Sequence, residues 1–414
     1  MSRHKLHWLG ASLLAGAGAS LMTLTSAMNA AFASADNIAF VIGGSGIPIP
    51  PPPFVEGATE LYIDPLHPGY TSQPLFTPEG LNPLLPNSLP FDTSVAQGLT
   101  ILNNAIEKQI ADDNDVVVFG QSQSATISGL EMSQLAALPA GQAPTADQLA
   151  FALVGDPDAP NGGLLSRFPD LTLPSIGITF PGPTPADTIY PTDIWTQEYD
   201  GFADYPQYPI NLLADVNALL GINYLHLNYV SLQPDQVSGA IPLPTSPGYD
   251  GVTHYFMIPL PPTENLPLLD PLAQLGVPQA FLDLVQPDLT VLVNLGYGGD
   301  DLGYSLDPAN VETPFGVFPD VNPLTVLDDL ATGTQQGISK FVADLPSLPS
   351  ELMAFLDPTT LVGRLASVLE HIGVGASLNI LSGAPPPATP IEAVTSFLSN
   401  ISFTNSATAD IAHA

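Results

Sequence analysis

The chain has 414 residues, 45% hydrophobic and 11% charged, enough apolar material for one large catalytic domain with a smaller appendage. Its 40 Asp and Glu outweigh 6 Lys and Arg, and the resulting charge of −34 repels nucleic acid and anionic headgroups, which excludes nucleic-acid binding. Cysteine is absent, so disulfides, a thiolate zinc site, a cysteine nucleophile and a lipid-acceptor cysteine are excluded as well.

The N-terminus reads Met1-Ser-Arg-His-Lys5, then an apolar stretch over 6–28, then Ala33-Ser34-Ala35. This order predicts a secretory signal over 1–35 and an exported protein. An uncleaved anchor is the alternative, because the stretch approaches the ~20 residues of a span; Gly10, Gly16 and Gly18 interrupt it. Ile38–Ile42 then predicts a buried strand running into the tight loop Gly43-Gly-Ser-Gly46, and Pro48–Pro53 predicts extended chain. Leu99, Leu102, Ile106 and Ile110 have helical spacing, Asp112–Asp115 form a polar turn, and Val116–Phe119 is a fully apolar strand. That strand enters Gly120-Gln-Ser-Gln-Ser124, after which 125–138 is helical. Phe151–Val154 predicts another strand, ended by Gly155-Asp-Pro157, and Leu289–Val293 a further one. Beyond Pro319 the texture turns to amphipathic helices, over 337–345 and 361–372, with proline-rich breaks such as Gly383–Pro387. The alternation predicts an α/β fold with a mostly parallel sheet flanked by helices over 36–320, followed by a helical extension and loosely ordered tail over 321–414.

A serine is a weak nucleophile until a base takes its proton and a turn presents it. Gly120 and Ser124 supply the small residues that a strand-to-helix nucleophile elbow needs two positions either side of Ser122, with serine where the usual pattern has a second glycine. The base should be a histidine following the nucleophile in the order Ser, acid, His, which leaves His226 and His254. Tyr199-Asp200-Gly-Phe-Ala-Asp204-Tyr-Pro206 lies between them and Ser122 and offers Asp200 or Asp204 as the acid. The oxyanion donors expected are the N–H of Gln123, directly after the nucleophile, and one from the loop after the first strand, Ser45 or Gly46. The pattern asks for no cofactor or metal.

Gly120–Ser124, Gly155-Asp-Pro-Asp-Ala-Pro-Asn-Gly-Gly163 with Arg167-Phe168, Tyr199–Pro206, Asn217–His226, Leu266–Leu269 and Val293–Tyr297 occur in this order. Together they resemble the mycobacterial PE-PPE C-terminal domain family over residues 38–320. That resemblance implies a cutinase-like serine α/β-hydrolase acting on lipid acyl esters, as an esterase or as an acyltransferase with a sugar acceptor such as trehalose, associated with the cell envelope or a membrane surface. The likeness to cutinases, which set their base in His-x-x-Tyr, selects His226 of His226-Leu-Asn-Tyr229, and it selects Asp204 over Asp200 because Asp204 precedes the Tyr-Pro turn. The export signal stands where that family carries a PE or PPE helical module. Hydrolysis and acyl transfer share an acyl-serine and are not separated by sequence; a non-catalytic cell-wall protein keeping the hydrolase fold is the remaining alternative.

Overall fold

The computed structural model describes residues 37–299 and 302–371. The export signal expected over 1–35 and the loosely ordered tail expected beyond 371 lie outside the described residues.

The first strand, β1 (Ile38–Ile42), pairs in parallel with β2 (Thr71–Pro74) on one side and with β3 (Val116–Gln121) on the other. Between β1 and β2 the chain forms a short helix, α1 (Pro52–Ala58), prolonged by a wider helical turn to Ile63. The expected extended proline run is therefore shorter than its prolines suggest, because Pro52 occupies the first helical turn, where a missing N–H costs nothing. Helix α2 (Phe91–Ala111) leads into β3, and α3 (Gln123–Ala136) follows it after a single residue, Ser122. The sheet continues through β4 (Leu149–Val154) to β7 (Thr192–Gln197), with a small antiparallel hairpin of β5 (Thr172–Leu173) and β6 (Ile178–Thr179) between them in sequence. Helix α4 (Leu212–Tyr224) and α5 (Pro234–Ser238) precede the last two strands, β8 (Ile241–Pro242) and β9 (Thr253–Ile258).

The 7-stranded order is β2-β1-β3-β4-β7-β9-β8, parallel at every step but the last, where β8 runs antiparallel to β9. The fold is thus the expected α/β-hydrolase arrangement, a mostly parallel sheet flanked by helices. Strands β3 and β4 are buried along their whole length, which is why they read as continuous apolar runs rather than alternating ones. Strand order reverses between β1 and β3, so the loops leaving their carboxyl ends diverge and open a crevice there. Ser122 stands at that crevice.

Helices α6 (Asp270–Gln274) and α7 (Gln279–Asn294) follow the sheet. The strand expected at Leu289–Val293 is instead the last turn and a half of α7. A short apolar run has no periodicity of its own, and here Leu282 and Val293 share one side of a helix and pack into the same apolar cluster, while Val291 is buried on the opposite side. The C-terminal helices are α8 (Pro323–Asp344), α9 (Leu348–Phe355) and α10 (Pro358–His371). Arg364 ties this part to the domain by donating to Leu275 O at 2.9 Å, and it also braces the part internally through Ala354 O at 2.8 Å.

Several carboxyl groups are buried without a cation against them. Burial pushes Glu79 up from its ordinary 4.5 to about 8 and Glu131 to about 7, and it raises the neighbouring Asp156 and Asp158. The folded protein therefore keeps protons that the unfolded chain loses above its ordinary carboxyl range, so stability falls as pH rises from about 4.5 to about 8. Urea unfolding followed by tryptophan fluorescence should show a higher midpoint at pH 5 than at pH 8; an equal or higher midpoint at pH 8 would contradict this account.

Candidate active site

Ser122 is the only residue between β3 and α3, and it turns the chain with φ 57° and ψ −120°, a conformation rarely tolerated outside glycine. Such a tight corner brings α3 back over the strand end. A Cβ on Gly120 would sit 2.8 Å from Ser124 O, so no larger residue fits there. Ser124 does more than stay small. Its hydroxyl accepts the Gln121 N–H at 2.8 Å and lies 3.2 Å from Ile42 O, tying the elbow to the end of β1. The strain at Ser122 is also offset by its own N–H, which donates to Val154 O at 3.1 Å.

The Ser122 hydroxyl lies 2.8 Å from His226 Nε2, and His226 Nδ1 lies 2.8 and 2.9 Å from the two oxygens of Asp200. With the carboxylate on Nδ1, that nitrogen carries the proton and Nε2 is the acceptor facing the serine. His226 is brought to Ser122 as expected. His254 is not: it sits on β9 with its ring exposed and pairs with Asp193 at 3.1 Å.

The acid is corrected. Asp200, and not Asp204, faces the imidazole. Tyr199 takes φ 67°, and the Ala203 and Asp204 N–H groups both turn back onto Asp200 O, so this loop is a tight turn. Its geometry points Asp200 at His226 and curls Asp204 inward, where Oδ2 accepts the Tyr199 N–H at 2.8 Å. Burial raises Asp204 well above the carboxyl range, with the Arg167 guanidinium pulling the other way. Arg167 itself is buried and donates to Thr313 O and Tyr205 O, so this pair serves the packing of the loop rather than the imidazole.

Three further supports hold the site. Tyr229 donates to Asp200 Oδ2 at 2.7 Å, which gives the His-x-x-Tyr spacing a physical meaning: the turn that carries the base also carries a donor to its acid. Gln121 and Gln197, the last residues of β3 and β7, donate to His226 O at 3.1 Å and Leu225 O at 3.0 Å and hold the backbone of that turn. Gln123 donates to Gly80 O at 2.8 Å and accepts from Ser94, whose hydroxyl also takes the Gly80 N–H at 2.7 Å. Both glutamines beside Ser122 were visible in the motif, but their partners lie in segments far away in sequence.

The loop after β1 passes against the nucleophile, with a Cβ on Gly44 placed 3.0 Å from that of Ser122. The Gly46 N–H is taken by Glu79 O at 2.8 Å, which leaves Ser45 of the two expected loop donors. Gln123 begins α3, so its N–H is one of the groups a helix start leaves without an internal partner. Ser45, Gln123, Ser122 and His226 all line one cleft of about 370 Å³, whose other walls include Leu81, Leu84, Leu85, Leu165, Ile178 and Phe202. The cleft is lined mostly by apolar side chains, and Ser122 and His226 are among its few polar ones. Among the described residues no group of three His, Cys, Asp or Glu is placed to hold a metal ion.

Fold and site together define an α/β-hydrolase-type protein with a Ser–His–Asp chain of hydrogen bonds beyond the central strands. The chain belongs to the PE-PPE domain family, which matches residues 68–298. It is 49% identical over 333 residues to "Uncharacterized PPE family protein PPE28" of Mycobacterium tuberculosis, covering 80% of this chain and 50% of that one. To "Esterase PE16" of the same organism it is 47% identical over 313 residues, covering 75% and 57%. A more distant relative there is "Diacyltrehalose acyltransferase Chp2", 28% identical over 240 residues, covering 57% and 64%. The chain spans about half the length of the first two relatives.

The corrected acid separates two variants. Asp200→Asn leaves the imidazole in the wrong tautomer and should lower ester turnover by about 10⁴-fold. Asp204→Asn keeps an oxygen for the Tyr199 N–H and should stay within tenfold of the parent. Steady-state kinetics on the two purified variants decides it, and the reverse ranking would return the role to Asp204.

Proposed function

We propose that this protein is an exported serine ester hydrolase or acyltransferase that processes lipid acyl esters through an acyl-Ser122 intermediate. The observation that carries the reading is the 2.8 Å approach of Ser122 Oγ to His226 Nε2 in the lining of a mostly apolar cleft. His226 Nε2 takes the hydroxyl proton as Ser122 Oγ attacks the ester carbonyl carbon. The Gln123 and Ser45 N–H groups receive the negative charge that develops on the carbonyl oxygen. When the tetrahedral intermediate collapses, the C–O bond to the alcohol breaks and the alcohol oxygen takes the proton from His226. Water, or a sugar hydroxyl, then gives its proton to Nε2 and attacks the acyl carbon, and Ser122 recovers a proton as it leaves. Asp200 holds the ring orientation and faces the imidazolium formed in both halves.

The choice between water and a sugar as second nucleophile is drawn from relatives, one named an esterase and one a diacyltrehalose acyltransferase. Export rests on the leader pattern of 1–35.

A serine-reactive fluorophosphonate should form one adduct, on the peptide carrying Gly120–Ser124. Turnover of 4-nitrophenyl esters of graded length should fall by at least about 10⁴-fold in Ser122→Ala while the variant stays folded. Running the series with and without trehalose separates the outcomes: trehalose-dependent acyl transfer marks a transferase, and sugar-independent release marks a hydrolase. An adduct on another serine, or wild-type turnover by Ser122→Ala, would overturn the mechanism.

A further inference from the structure

Helix α4 carries His226 just beyond its end, and it is apolar on both sides. Its inner side, with Ala214, Ala218 and Gly221, packs so closely that a Cβ on Gly221 would meet Tyr199 O at 1.9 Å. A helix at the surface would ordinarily present polar residues on the other side. Here the outer side presents Leu212, 73% exposed, Val216, 49%, and Leu219, 51%. Their spacing of four and three residues puts them in one row, and the next member of that row, Asn223, lines the catalytic cleft. Leu227, 61% exposed, continues the row at the mouth, and Leu84, 52% exposed, lines the same cleft.

The surroundings are as unusual in charge as in exposure. The segments 41–55, 80–91 and 205–232 supply the loop after β1, the wall with Leu84 and the whole of α4. In a chain with 40 acids they contain a single formally charged residue, Asp215, and neither Lys nor Arg. Asp215 turns one carboxyl oxygen into a buried position. An apolar row continuous with a substrate cleft, on segments that carry one formal charge between them, marks an interaction surface.

We propose that this rim docks on an uncharged lipid surface, so that an ester passes from the lipid phase into the cleft without meeting a charged residue. The absence of Lys and Arg from these segments and the overall charge of −34 argue against an anionic headgroup or membrane, leaving net-neutral lipid. A second copy of the chain is a poorer occupant, because these few side chains fall far short of the roughly 20–30 residues a side of a standard stable interface. The inference rests on reading the Ser122 cleft as an ester-processing site, and its test does not require turnover.

The full-length Ser122→Ala protein should sediment with phosphatidylcholine vesicles or a triacylglycerol emulsion, and 0.5 M NaCl should leave that binding in place, as expected for apolar contact (about a 4 Å screening length at that salt). Replacing half of the phosphatidylcholine with phosphatidylglycerol should weaken it. The combined variant Leu212→Asp, Val216→Asp, Leu219→Asp should bind at least ten times more weakly. In the active background it should turn over dissolved 4-nitrophenyl acetate within twofold of the parent and emulsified esters at least ten times more slowly. The Ser replacements of the same three residues give a second, uncharged version. No binding to either uncharged lipid, binding unchanged in both variants, binding only to phosphatidylglycerol, or a dimer in sedimentation velocity that the variants dissociate would each overturn the proposal. Fluorophosphonate labelling of the active protein reads the nucleophile separately, so a failed rim and a failed cleft give different results.

Discussion

A carboxyl group with no access to solvent must find its partners inside the protein, and Asp200 finds three. Its oxygens meet His226 Nδ1, the Tyr229 hydroxyl at 2.7 Å and the Phe202 N–H at 3.0 Å. An unpartnered buried polar group costs several kcal/mol, about 2–7 on transfer scales, so each partner is under pressure to stay. Those partners come from the turn after β7 and from the turn after α4, which the carboxyl group locks to one another. The Tyr229 hydroxyl in turn accepts the Gln197 N–H at 2.8 Å, which carries the lock back to the end of β7. The position of the imidazole over Ser122 is a consequence of this chain of contacts, and so is the packing of α4 against the Tyr199 turn.

The parts legible in the sequence are those whose physics is local. Val116–Phe119 followed by Gly120-x-Ser-x-Ser124 contains strand, corner and helix start within a dozen residues, and the elbow it predicts is the one observed. The families of motifs from Gly155 to Tyr297 likewise identify the fold, because several separated matches in order are hard to meet by chance. Asp200 and Asp204 show where local reading ends. They stand four residues apart in the same loop, both buried, and which one faces the base is decided by the left-handed backbone at Tyr199 and by the approach of a helix from later in the chain. The Leu289–Val293 segment failed for a related reason. Its β-branched residues favour a strand, while contact with the rest of α7 and with the core makes it helical.

The distribution of charge is a second constraint that composition alone conceals. Acidic residues make the protein as a whole strongly anionic, yet the crevice at the switch between β1 and β3 is framed by segments nearly free of them. Inside the fold, carboxyl groups such as Glu79 and Asp204 are held by burial toward their neutral form, so they add little field to the cleft. The carboxyl group in direct contact with the His226 ring is that of Asp200.

The bonds from Gly80 to Ser94 and Gln123 have a further consequence for how this fold can diversify. They fasten the start of the Leu81–Leu85 wall to α2 and α3, and Ser88 closes the same loop on itself through Leu81 N at 3.0 Å and Leu85 O at 2.7 Å. The wall is thus a braced frame from which three leucines project, and none of the bonds in the frame involves those side chains. Exchanging Leu81, Leu84 or Leu85 for larger or smaller residues reshapes the cleft without removing any bond of the bracing. The lining of the cleft and the bonds that hold its wall are mechanically separate here, so these three positions can vary without loosening the frame around Ser122 and His226.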